Sequence, residues 1–264
     1  MKKRNILCLS ALLLMGCQST IEFNYEQPKP FYVVEGFVSN EGVQVSVMQS
    51  MGVKDSVSTY IRDAIVTLRT DDMSETLELS DMCYVSPSHY KPEVGKTYQL
   101  DITLENVTYS ATSYMNAPTT IDSVRLDSID FQIPPEILEL LNITEDTISG
   151  IRHTCTLYFK DTPGQEDYYF YTYTIAGRGT PYKRSYFSRV AETDNAVHGI
   201  SIRVENHDTI CFEMRHIDAN AYQFMHEVYY SQIDRVNPNS AFGEGCLGYF
   251  SAYAVTRETI VIDY

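Results

Sequence analysis

Gly95-Lys96-Thr97-Tyr98-Gln99-Leu100-Asp101-Ile102-Thr103-Leu104-Glu105-Asn106-Val107-Thr108-Tyr109-Ser110-Ala111-Thr112 is the stretch that decides the fold class. Two runs rich in Thr, Tyr, Ile and Val lie on either side of Glu105-Asn106, which turns the chain between them. Pro92-Glu93-Val94-Gly95-Lys96 makes another turn just before. Short β-branched and aromatic runs separated by turn residues read as antiparallel strands.

The same pattern extends upstream. Phe31-Tyr32-Val33-Val34-Glu35-Gly36-Phe37-Val38 is the first strand and Val43-Gln44-Val45-Ser46-Val47 alternates cleanly. Ile65-Val66-Thr67-Leu68 and Thr76-Leu77-Glu78-Leu79 follow. About seven strands over about 85 residues is the size of an immunoglobulin-like sandwich, so residues 31–118 are expected to form one.

Ala117-Pro118 ends this unit and Ile121-Asp122-Ser123-Val124 begins a second β-rich one, taken as 119–264. Its first strand runs through Phe131, and Pro134-Pro135 leads into a short helix or lid-like insertion over Glu136 to Leu141. Strands return at His153 to Lys160, Tyr168 to Ile175, Ile200 to Val204, Thr209 to His216, Leu247 to Val255 and Thr259 to Ile262. One longer helix is expected near 218–232, capped by Asp218, with Ala221, Met225, Val228 and Tyr229 on one stripe packed against the sheet. The expected fold is mostly β: two β-sandwich-like domains and this helix in the second.

The N-terminus reads as an export signal. Met1-Lys2-Lys3-Arg4 is basic, and the apolar run Ile6 to Leu14 is shorter than the roughly 20 residues that span a bilayer. Leu14-Met15-Gly16-Cys17 looks like a lipobox, so residues 1–16 are expected to be removed and Cys17 to carry the lipid. Buried acyl chains then anchor the protein to a membrane. Residues 17–30 read as a polar tether stiffened by Pro28 and Pro30.

The formal net charge is −15. So acidic a surface repels phosphate backbones, and nucleic acid is not an expected partner. Cys83, Cys155, Cys211 and Cys246 remain in the body; they allow three disulfide pairings and follow no zinc-ligand spacing. Cys155 alternates with Leu157 and Phe159, as a small buried residue does.

The familiar motifs of catalysis do not occur in the sequence. His226-Glu227 lacks the second histidine of a zinc helix, and neither a nucleophile elbow nor a phosphate-cradling glycine loop occurs. No catalytic residue and no cofactor is therefore assigned. Asp161, Glu166 and Asp167 flank one loop and are candidate oxygen ligands for a cation such as Ca²⁺, although an acidic surface turn is the weightier reading. Tyr169, Tyr171 and Tyr173 share a strand face, read either as packing or as an exposed adhesive surface. Asp55-Ser56-Val57, Asp122-Ser123-Val124, Asp127-Ser128-Ile129, Asp146-Thr147-Ile148 and Asp208-Thr209-Ile210 look like an envelope-protein O-glycosylation pattern. Gly243, Gly245 and Gly248 bracket a turn that needs positive φ or close backbone approach.

Several segments, in order, resemble the domain-of-unknown-function 4249 family of outer-membrane lipoproteins. They are Tyr32-Val33-Val34-Glu35-Gly36, Gly95 to Leu100 with Thr108 to Thr112, Ile121-Asp122-Ser123-Val124, Phe159 to Gly164 running into Asp167-Tyr168-Tyr169-Phe170, Ile217-Asp218 with the Tyr222 helix, and Gly245 to Tyr253. The chain departs from the family by lacking a tryptophan in that helix and by a short Asn237 to Gly243 segment. The resemblance implies a cell-envelope location and the company of TonB-dependent transporters, and no established activity. The expected function is thus a non-enzymatic, lipid-anchored accessory or binding protein of the outer membrane. A fimbrillin-like structural subunit is the alternative; the absence of Arg and Lys between Cys17 and Lys29 weakens it.

Overall fold

A computed structural model describes residues 30–51, 57–143, 150–160, 164–177, 182–190, 197–234 and 236–264. The expected signal segment, Cys17, the expected tether up to residue 29 and Asp161 lie outside the described residues, as do Asp55-Ser56 and Asp146-Thr147-Ile148.

The first half contributes β1 (Tyr32–Ser39), β2 (Gly42–Gln49), β3 (Thr59–Tyr60), β4 (Ile65–Arg69), β5 (Ser74–Thr76), β6 (Glu78–Ser80), β7 (Cys83–Val85), β8 (Thr97–Leu104) and β9 (Val107–Tyr114). The second contributes β10 (Ile121–Phe131), α1 (Pro135–Leu140), β11 (Gly150–Lys160), β12 (Asp167–Ala176), β13 (Tyr182–Val190), β14 (Val197–Val204), β15 (Thr209–Ile217), α2 (Ala219–Asp234), β16 (Cys246–Tyr253) and β17 (Val255–Val261). The molecule is mostly β and organised as sandwiches.

In the first sandwich, one sheet runs β5-β4-β8-β9 and the other β16-β1-β2-β7-β6, with β3 beside β2. The β8–β9 hairpin closes with Leu104 opposite Val107. Glu105 and Asn106 take φ of 47° and 69°, the left-handed pair that a two-residue turn demands to match strand twist. Tyr98, Leu100 and Ile102 then face inward together against Val34, Val45, Val47, Val66, Leu68 and Phe250. Fully burying each such side chain contributes about 1.5–3 kcal/mol. The buried Tyr98 hydroxyl donates to the Glu93 carbonyl at 3.1 Å and accepts from the Glu93 N–H at 2.7 Å. The single strand expected at Thr76-Leu77-Glu78-Leu79 is split at Leu77. Leu77 is buried and its N–H bonds the Val66 carbonyl at 2.8 Å, so the chain passes there from one sheet to the other.

The largest departure from the division expected after residue 118 is β16. It pairs in parallel with β1, Cys246 opposite Tyr32 through Tyr253 opposite Ser39, and so completes the first sandwich. A parallel strand covered on both faces carries apolar residues in both phases, which is how Leu247-Gly248-Tyr249-Phe250-Ser251-Ala252-Tyr253 reads. Gly248 takes φ 137°, and a Cβ there would lie 1.9 Å from the Val34 carbonyl oxygen. After buried Ala254 the chain enters β17, which pairs with β15 of the second sandwich. One continuous run thus crosses both units.

The second sandwich packs β10-β11-β14 on β13-β12-β15-β17. Cys155, Leu157, Phe159, Ile202, Ile210, Phe212 and Met214 fill it. Tyr169 and Tyr173 are buried in this core, at 0% and 8% exposed. The face they share with Tyr171 is therefore turned inward, and the adhesive reading of it is corrected. Cys83, Cys155, Cys211 and Cys246 are all free; burial pushes the Cys246 thiol up to about 12, so it stays a protonated, inert core group.

Helix α2 begins where expected: the Asp218 carboxylate accepts the Ala221 N–H at 2.9 Å. Its packing stripe is shorter than the periodicity predicts. Ala221 and Phe224 are buried, whereas Val228 and Tyr229 are exposed, so only the first half of the helix is covered along this stripe. No helix among the described residues is long and apolar enough to cross a membrane.

Candidate functional site

Where the two sandwiches meet, the chain folds a polar cleft of about 300 Å³. Its walls come from the β1–β2 hairpin (Phe37, Ser39, Glu41), from β15 (Glu213, Arg215) and from the β16–β17 run (Tyr253, Arg257). Residues two apart on a strand share a face, so Glu213 and Arg215 point the same way. The β15–β17 register sets Glu213 opposite Arg257.

Four charges form a ladder in this cleft. Arg215 donates through Nε to Glu213 Oε1 at 2.8 Å. Arg257 Nε reaches Glu213 Oε2 at 3.0 Å. The other side of the Arg257 fork holds Glu41, through Nη1 on Oε1 and Nη2 on Oε2, the latter at 2.8 Å. The hairpin tip is pinned a second time, because the Val255 N–H donates to Asn40 Oδ1 at 3.0 Å. The hydrogen bond from Arg257 holds the Glu41 carboxyl below the usual range, and the Glu41 carboxylate raises Arg257 in turn. The Arg215 guanidinium lies 4.9 Å from the Tyr253 ring centroid and 5.4 Å from that of Phe170, within cation–π reach. Burial pushes the Tyr253 phenol up to about 12.

The ladder is balanced, two acids against two guanidiniums, and graded. Glu213 is 19% exposed at the base, while Glu41 and Arg257 are 50% and 51% exposed at the rim. Planar guanidinium forks in fixed positions beside carboxylates and an aromatic wall are groups of recognition. The donors of Arg257 suit a carboxylate or phosphate, and the acceptors of Glu41 suit an amine or hydroxyl. The sequence marks none of these four residues, since Glu41 and Arg257 are 216 positions apart.

Of the predicted acidic trio, Glu166 and Asp167 are described, and they point apart. Asp167 is buried at the start of β12, where its Oδ1 lies 3.0 Å from His216 Nε2 and 3.0 Å from Gln165 Nε2. Neighbouring Glu166 points outward, pairing with Arg189 and accepting the Tyr168 hydroxyl at 2.5 Å. Asp161 is outside the described residues. Glu166 and Asp167 thus do not converge, and no group of three or more metal-ligating side chains occurs among the described residues. His216 Nδ1 faces the Ala117 carbonyl at 3.2 Å, so this buried pair fastens the link between the sandwiches. Of the hydroxyl motifs, Ser123 and Ser128 lie exposed on β10, whereas the Asp208 carboxylate is buried and accepts the Glu205 N–H at 2.7 Å.

The family described as Domain of unknown function (DUF4249) matches residues 18–259. The chain belongs to that family. No curated protein matches this DUF4249 chain. Among solved structures, selenomethionine-substituted chicken interferon gamma receptor alpha chain is similar at 9% identity, over 90% of this chain and 99% of that one, with a TM-score of 0.21.

Proposed function

We propose that this DUF4249 chain is a non-enzymatic outer-membrane lipoprotein, held by lipid on Cys17, that serves as an accessory or binding protein beside a TonB-dependent transporter. The lipobox-like Leu14-Met15-Gly16-Cys17 supports the anchor, and the setting is what the resemblance noted in the sequence implies. The observation that carries the binding role is the cleft at the seam. Its rim charges, Glu41 and Arg257, are half exposed while their partners Glu213 and Arg215 are sunk beneath them. Such rim groups exchange partners with an arriving polar ligand without leaving a buried charge unpaired.

The test is a pull-down through an affinity tag at Tyr264 from gently solubilised outer membranes, followed by mass spectrometry. Stoichiometric recovery of a TonB-dependent transporter, weakened by Arg257→Ala, supports the reading. Recovery of no transporter overturns it.

A further inference from the structure

Strand β10 is the edge of the three-stranded sheet, bonded to β11 on one side, and among the described residues no strand covers its other side. Its core-facing residues are unfinished. Val124 and Leu126 stand opposite Leu157 and Cys155, which are fully buried. Yet Val124 is 46% and Leu126 39% exposed. A long edge strand with open backbone groups and apolar side chains is a template for another strand. Natural edges are usually blunted by charge, and here the charges are arranged in a particular way.

Ser123, Arg125, Asp127 and Ile129 form the outer face of β10, and Arg125 Nε already lies 2.7 Å from Asp127 Oδ2 in the same strand. If a second copy of β10 pairs antiparallel about a two-fold axis at Leu126, Arg125 falls opposite Asp127 of the second copy, and the reverse. On the core side Val124 falls opposite Ser128 and Leu126 opposite itself. Moving the axis one residue either way sets Arg125 against Arg125 or Asp127 against Asp127, and like charges directly opposite are destabilising. The strand is therefore self-complementary in this register in a way those neighbouring registers are not. An isologous pairing of this kind closes on itself and consumes both edges.

We propose that two copies of this chain associate through β10, antiparallel and centred on Leu126, continuing the β10-β11-β14 sheet across the dimer. The occupant of the edge is the chain itself, chosen by the Arg125–Asp127 reciprocity and by the apolar strip at Val124 and Leu126.

Cysteine cross-linking of the full-length chain in its own membranes tests this. Leu126→Cys sits on the two-fold and yields a reducible dimer well above the unsubstituted chain. Ile129→Cys, displaced from its own copy by about 20 Å along the strand, does not. Arg125→Asp or Asp127→Arg added to Leu126→Cys cuts the yield about fivefold by opposing like charges, and the double exchange restores it. All four positions are exposed or half-exposed on the edge, so an unchanged circular-dichroism spectrum is expected throughout. No dimer from Leu126→Cys, an equal dimer from Ile129→Cys, an adduct with a different protein, or failure of the double exchange to restore the yield would each overturn the proposal.

Discussion

Ser113 of β9 donates to the carboxylate of Asp218, the residue that caps α2, across 105 positions of sequence. The same hydroxyl accepts the Ala252 N–H of β16 at 2.8 Å. One small side chain thus joins the first sandwich, the helix and the seam strand. Ser113→Ala strands a buried N–H and removes a donor from a buried carboxylate. A loss of about 2 kcal/mol in denaturant unfolding is expected.

Asp218 itself carries a pH signature. Burial raises its carboxyl above the ordinary range, against the lowering effect of the Ser113 and helix N–H bonds. The folded chain therefore holds this proton more tightly than the unfolded chain. Its contribution to stability is full below the ordinary aspartate range and is lost as pH rises through the raised value. Asp218→Asn keeps a competent helix cap and removes the titration. Between pH 4 and 7, the melting temperature of the wild type relative to Asp218→Asn is expected to fall; a constant difference would contradict the assignment.

The glycines near the seam separate two physical effects. Gly243 has φ 80° with open space around its Cβ direction, whereas Gly248 faces the Val34 carbonyl. Gly243→Ala should cost about 1 kcal/mol, the ordinary cost of left-handed backbone. Gly248→Ala forces β1 and β16 apart and should cost about 3 kcal/mol or more. Urea unfolding of the two variants side by side measures the gap.

Buried His216 and Asp167 depend on each other. His216→Ala leaves the Asp167 carboxylate enclosed beside an empty site and should cost about 3–5 kcal/mol. His216→Ala combined with Asp167→Asn should cost less than His216→Ala alone, since no charge remains to be buried. A double-mutant cycle by thermal unfolding reads the difference.

At the cleft the effects are smaller and salt-dependent. Glu41 is held below the usual carboxylate range first by its hydrogen bond from Arg257. Its stabilisation is present above that range and lost as pH falls through the lowered value. Arg257→Ala should cost about 1 kcal/mol in low salt and less in high salt. Added to Arg257→Ala, Glu41→Ala should cost almost nothing more.

Local chemistry made much of this fold readable. The Glu105-Asn106 turn, the alternation of β8 and the Asp218 cap each act within a few residues, and each stands where the sequence places it. The position of β16 does not follow from such reasoning, because its partner β1 lies more than two hundred residues earlier and parallel pairing leaves no turn to announce it. Tyr169 and Tyr173 misled in another way: strand alternation gives the shared face but not which side the opposing sheet covers. The cleft was illegible. Glu213 and Arg215 look like any solvent-facing alternation until β17 brings Arg257 beside them and the hairpin brings Glu41.

The β16–β17 run also governs when the molecule becomes itself. Any process that delivers this chain N-terminus first, whether synthesis or threading through a pore, hands over β1 to β9 long before the strand that finishes their sheet. Until residue 253 emerges, the apolar flank of β1 has no parallel neighbour, and the first sandwich must wait on a strand that begins only at Cys246 of 264 residues. Such distant closure slows folding. In any such delivery the contact that closes the first sandwich is also among the last that the chain makes.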